Sequence, residues 1–182
     1  MASTFPTALD TFTNPTATSL LTSPNHAQQH SDINDAVEAL EAKVAIGNTV
    51  LGTYISFATT LGNVTVGNGV VTGSYCRVNS FVHYYGSFTL GSTSAVTGTV
   101  TITLPVNLSS DMNLRSTYGT CQYLDGATRY NGQTQRSSDS SLNLAVDLTN
   151  STYAQSSLIA STTPFAWGDT DVMTWNLYYR GV

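Results

Sequence analysis

From about residue 50 to the C-terminus, apolar side chains recur at alternate positions in short runs, and turn-forming residues separate the runs. A side-chain period of two belongs to strands and a period of 3.6 to helices, so this stretch is committed to β-structure. Val172–Arg180 is the clearest run, with Met173, Trp175, Leu177 and Tyr179 on one face. Ser80–Leu90 alternates too, setting Phe81, His83 and Tyr85 opposite Val82 and Tyr84. Gly67-Asn68-Gly69, between Val64–Val66 and Val70–Arg77, is a hairpin signal, because Gly and Asn accept the positive φ of a tight turn. Thr99–Val106, Arg115–Leu124, Thr128–Gln135, Leu142–Leu148 and Ser156–Ala160 read as further strands, and Gly91–Gly98 reads as a small-residue loop. Eight or nine short strands without a helical pattern among them predict a two-sheet β-sandwich, with a jelly-roll-like arrangement as the first expectation.

Two other zones precede this one. Residues 1–22 scatter Phe5, Leu9, Phe12, Leu20 and Leu21 among Thr, Ser, Ala, Pro and Asn, and Pro6 and Pro15 break any helix. The reading is an extended arm. Alone it buries too little apolar surface to offset chain entropy, so those five residues are expected to dock on a partner. Residues 23–47 form a predicted helix, with Ser23-Pro24 as its start and Gly47-Asn48 as its stop. Ile33, Val37, Leu40 and Val44 follow steps of four, three and four, which is a coiled-coil seam with Val37 and Val44 at a and Ile33 and Leu40 at d. The same register places His30 at a and His26 at d. A helix this short is marginal alone, so the seam calls for sister helices or the β-domain, residues 48–182.

Composition narrows the function. Charged residues are 9% of the chain, against about 25% in ordinary domains, and Lys43 is its one lysine. A net charge of −5 without a basic cluster argues against nucleic acid and anionic membranes as partners. Hydrophobic content of 41% argues against disorder. No apolar run is long enough to span a bilayer, and Met1–Pro6 lacks the basic and apolar parts of a signal peptide, so assembly in a cytoplasm is expected. Cys76 and Cys121 are then expected as free, buried thiols.

The segment Leu20–Gly47, LLTSPNHAQQHSDINDAVEALEAKVAIG, resembles an N-terminal module that recurs in tailed-bacteriophage virion proteins. Pro24, His26, Ala27, His30, Asp32, Asn34, Asp35, Ala36, Glu38, Ala39, Leu40, Glu41 and Lys43 carry the likeness. Val64–Tyr75 (VTVGNGVVTGSY) and Phe88–Gly98 (FTLGSTSAVTG) are similar to the start of phage tail and head-fibre β-domains, and Pro164–Asp169 (PFAWGD) follows the same pattern. The resemblance implies a virion structural protein, commonly a homotrimer, held by the major capsid protein or another virion protein. A capsid decoration protein or short head fibre is expected, since the chain shows no long repetitive shaft. A tail-associated adhesin for host surface glycans is the alternative.

Candidate chemistry is sparse. His26 and His30 have the i, i+4 spacing that lets two imidazoles share a metal, but no helical carboxylate completes a zinc set. Asp169-Thr170-Asp171 could offer two carboxylates to calcium, yet such aspartates are common in turns. No metal or cofactor is expected. The β-domain has no glutamate, its aspartates fall in expected turns, and His83 lacks a nucleophile elbow, so an enzyme is not expected. The remaining lead is aromatic: Tyr75, Tyr84, Tyr85, Tyr118, Tyr123, Tyr130, Tyr153, Tyr178 and Tyr179. Burial of these rings and of Trp167 would favour decoration, and a clustered exposed patch would favour adhesion.

Overall fold

The structure is a computed structural model of the 182-residue chain and describes residues 26–44, 53–78, 80–112, 117–149 and 154–182. The chain divides into two units, Met1–Thr53 and Tyr54–Val182.

In the first unit the described element is α1 (His26–Val44). The expected arm and both helix-capping pairs lie outside the described residues, as do the side chains of His26, Leu40 and Val44. Of the other seam residues, His30 is exposed, and Ile33 and Val37 are 54% and 47% exposed. No described helix is long and apolar enough to cross a membrane.

The second unit is mainly β. Its strands are β1 (Ile55–Ser56), β2 (Leu61–Thr65), β3 (Val70–Val78), β4 (Phe81–Thr89), β5 (Ala95–Thr103), β6 (Thr117–Asp125), β7 (Thr128–Ser138), β8 (Ser141–Thr149), β9 (Ala154–Leu158) and β10 (Val172–Arg180). They form one antiparallel sheet in the order β1-β3-β4-β10-β6-β7-β8-β5-β2, with β9 on β8. The first and last strands of that path belong to one stretch of chain, because residues 57–60 alone separate β1 from β2. Pairing continues from both sides into this link: Phe57 N–H donates to the Gly73 carbonyl, and Thr103 N–H donates to the Thr60 carbonyl. The sheet therefore curls until its two ends meet, giving a sandwich-like body around one core.

Strand alternation builds that core. Met173, Trp175, Leu177 and Tyr179 of β10 are all buried, as their shared face predicts. Val82, Tyr84 and Phe88 of β4, Cys121 and Tyr123 of β6, Leu142, Leu144 and Val146 of β8 and Ile102 of β5 join them in one cluster. Burying each such aliphatic or aromatic side chain is worth about 1.5–3 kcal/mol.

Two local expectations are corrected. Gly67-Asn68-Gly69 does turn, with Gly67 at φ 57° and Gly69 N–H donating to the Val66 carbonyl, but its flanking strands do not form a hairpin. β2 pairs with β5, setting Leu61 opposite Ile102, while β3 pairs with β4. The turn is instead tied to the next loop: Asn68 N–H donates to the Thr93 hydroxyl, and the Thr93 N–H and hydroxyl donate to Asn68 Oδ1. Ala95–Gly98 is likewise the first half of β5 and no loop, because β2 pairs with it through Val64–Val96.

Candidate functional site

Because Val82, Tyr84, Gly86 and Phe88 point inward, Phe81, His83, Tyr85 and Ser87 line the outer face of β4. Register decides their neighbours. β10 sets Tyr178 opposite His83 and Asn176 opposite Tyr85, and β3 sets Cys76 and Ser74 opposite the same two residues. The result is a contiguous outer surface with two kinds of chemistry.

One end is aromatic. The His83 and Tyr178 rings stack with centroids 4.3 Å apart and planes 2° apart, and Phe81 lies beside Tyr178. Tyr54 meets both His83 and Tyr85 edge to face, at 5.4 and 5.2 Å. These rings remain open to solvent: Phe81 is 51% exposed, Tyr178 50%, Tyr54 44% and Tyr85 43%. The Tyr54 hydroxyl hydrogen-bonds His83 Nδ1, and His83 Nε2 lies 2.6 Å from Asn176 Oδ1. A ring that accepts from Tyr54 at Nδ1 donates from Nε2 to the Asn176 carbonyl oxygen. The Tyr54 phenol is raised above its ordinary value, first by burial against its neighbours and then by Cys76.

The other end is polar. A groove of about 720 Å³ runs over β3, β4, β10, β6, β7 and β8, with Tyr85 at its aromatic margin. Ser87, Thr174, Asn176, Gln122, Asn131 and Asp147 supply its hydroxyl, amide and carboxylate groups. Its amides are oriented by the protein: Arg129 donates to Gln122 Oε1 and Gln122 Nε2 donates to Asn131 Oδ1, each at 3.3 Å.

The tyrosines thus divide. Tyr84, Tyr118, Tyr123 and Tyr179 are core residues, Tyr75 and Tyr130 are half-buried, and Tyr153 lies outside the described residues. Trp167 is half-buried, packs on Phe165 and donates to the Ala160 carbonyl. Tyr54 is the member that strand alternation did not single out, since it precedes β1 (Ile55–Ser56) and lies in no strand. Cys121 is buried, and burial pushes its thiol up to about 12. Cys76 is half-buried at the outer face, short of the full burial expected for it.

The remaining candidates do not gather into a centre. Asp171 Oδ2 accepts from Gly168 N–H at 2.7 Å and so closes its own turn, while Asp169 is exposed. Among the described residues no group of three His, Cys, Asp or Glu could hold a metal ion.

No protein-family model and no curated protein matches the chain. Among solved structures, a fragment of avian reovirus sigmaC (residues 117-326) aligns over 87% of this chain and 91% of its own, at 10% identity and a TM-score of 0.38. A likeness at that score carries no argument about function.

Proposed function

We propose that this chain is a non-enzymatic structural protein of a tailed-bacteriophage particle, and that its β-domain is a receptor-binding module for host surface glycans. The virion assignment rests on the resemblance of residues 20–47 and 64–104 to phage virion proteins. The observation that supports adhesion is the outer face: Tyr54, Phe81, His83, Tyr85 and Tyr178 form one exposed aromatic cluster beside a hydroxyl- and amide-lined groove. Exposed aromatic patches rimmed by polar groups mark interaction sites, and Tyr is favoured where one ligand demands both apolar and polar contact.

Attachment falls to the N-terminal unit. Phe5, Leu9, Phe12, Leu20 and Leu21 dock the arm, residues 1–22, on a capsid or other virion protein. The helix seam His26, His30, Ile33, Val37, Leu40 and Val44 joins copies into a homotrimer, and the exposure of Ile33 and Val37 in the single chain supports an uncovered seam. Linked copies multiply weak glycan contacts through effective concentration.

Capsid decoration is the second reading, favoured by the four tyrosines that serve the core. Competition separates the two. Purified chain added to host cells should block phage adsorption, and a Y85A/Y178A variant should not. Failure of the native chain to bind cells, together with three-fold density on the capsid in electron micrographs of particles, would give the decoration reading its place.

A further inference from the structure

The groove and the aromatic cluster share Tyr85, and the network around His83 joins them. His83 Nε2 occupies Asn176 Oδ1, so the Asn176 amide is held with its oxygen toward the histidine. Its nitrogen has no partner among the described residues and is left as a donor lining the groove. Gln122 is fixed in the same manner between Arg129 and Asn131. With its Oδ1 taken by Gln122, Asn131 likewise keeps its own amide N–H groups for a ligand. Asp147 contributes the lining carboxylate and can accept from a pair of hydroxyls. Donors and acceptors of fixed orientation, set beside a ring face, are what a polyhydroxylated ring needs on its edge and on its C–H face.

Charge selects among such ligands. The groove lining holds one carboxylate, Asp147, and no lysine or arginine. Arg129 reaches its margin, but there its guanidinium contacts the Gln122 carbonyl oxygen. Arg180, further along the outer face of β10, pairs with Asp111 at 2.6 Å. An anionic sugar would meet Asp147 with no opposing cation in the lining, whereas an uncharged one would meet only dipoles and the carboxylate as an acceptor. Shape adds a second limit. The groove crosses β3, β4, β10, β6, β7 and β8, five strand spacings or roughly 24 Å, which exceeds a monosaccharide.

We infer that this groove binds an uncharged, extended oligosaccharide, its first ring on Tyr85 and the following ones hydrogen-bonded by Asn176, Gln122, Asn131 and Asp147. His83 is a positioning residue that sets the Asn176 amide. The inference rests on the glycan-binding reading and adds the class of glycan and its path.

The full chain, applied to a printed array of neutral hexose and deoxyhexose polymers beside uronic-acid, sialic-acid and phosphate-bearing polymers, tests it. Neutral polymers should bind at least ten-fold more tightly than acidic ones. Asp147→Asn should narrow that gap by raising acidic binding, a readout that damage to the fold would not produce. Asn176→Ala should lower neutral binding about ten-fold with an unchanged urea midpoint, and His83→Ala should follow it in the same direction. Acidic polymers bound as tightly as neutral ones would overturn the inference and leave the adhesin reading standing. Binding to neither class would overturn both.

Discussion

His83 and Tyr178 stack face to face across the β4–β10 pair, 4.3 Å between ring centroids and 2° between planes. They are directly opposed in the register, 95 positions apart in the chain, so the contact exists only because β10 returns to lie against β4. Aromatic pairs of this kind contribute about 0.5–1.5 kcal/mol beyond their area. A double-mutant cycle of His83→Ala and Tyr178→Ala, read by urea unfolding, should give a coupling energy in that range. Strict additivity would mean that the two rings share a face without supporting each other.

Thr134 is an inward position of β7, fully buried, and its hydroxyl has no hydrogen-bond partner among the described residues. Thr134→Val keeps the shape and removes an unpaired polar atom. Since an unsatisfied buried group costs about 1–3 kcal/mol, the variant should melt at a higher temperature than the native chain. A lower melting temperature would show that the hydroxyl is bonded after all.

Gly86 stands inward on β4, where a side chain would strike the Trp175 indole. A Cβ built there runs into the Thr72 backbone carbonyl oxygen and lies 2.5 Å from Cζ2 and 2.7 Å from Cε2 of that ring. Gly86→Ala should therefore destabilise the domain by about 1–3 kcal/mol through overpacking. Trp175 fluorescence should shift in the folded state, because the ring must move.

High pH should weaken the β-domain. An unfolded tyrosine ionises near pH 10, and burial pushes Tyr84 up to about 12, against a hydrogen bond with Thr59 that lowers it. Burial raises Tyr123 and Tyr179 in the same direction. Above pH 10 the unfolded chain has lost protons that the folded chain still holds, so stability falls as pH rises and is fully present below 10. For Tyr84 alone the loss by pH 12 is about 2–3 kcal/mol. Urea midpoints between pH 8 and 11.5 should fall steadily from about pH 10, and a flat profile would contradict these burials.

The helix seam is tested in solution. Val37→Asp with Leu40→Asp places two carboxylates on the proposed trimer axis and should lower the mass measured by sedimentation. The β-domain should keep its circular dichroism, since neither residue belongs to it. An unchanged mass would remove the seam from the account.

Legibility in the sequence followed the range of the interaction. β10 was readable to the residue, because its inward Met173, Trp175, Leu177 and Tyr179 alternate with polar or exposed neighbours and need no partner to be recognised. Ala95–Gly98 was not, since Val96 alone among Ala, Thr and Gly makes no period and the segment becomes a strand only when β2 pairs with it. Turn chemistry at Gly67–Gly69 is local and was legible, whereas which strands the turn would leave adjacent depends on β2–β5 contacts between residues 30 to 41 positions apart. The candidate site shows the same division. Tyr85, Tyr178 and His83 were visible as residues of interest, but their meeting on one face required the β4–β10 register. Tyr54 joins them from the residue just before β1, where no strand period reaches it.

The meeting of both ends of the sheet on residues 55–65 has a bearing on how such a chain stays dispersed. Proteins commonly resist edge-to-edge aggregation with charged side chains on open strand edges. With 9% charged residues, this one has few to spend. Curling the sheet until β1 and β2 share one segment closes the long edges that would otherwise template a neighbour, and leaves β9 as a short edge of mostly polar residues. Closure of the sheet, where charge is sparse, thus removes a backbone template on which a second chain could pair.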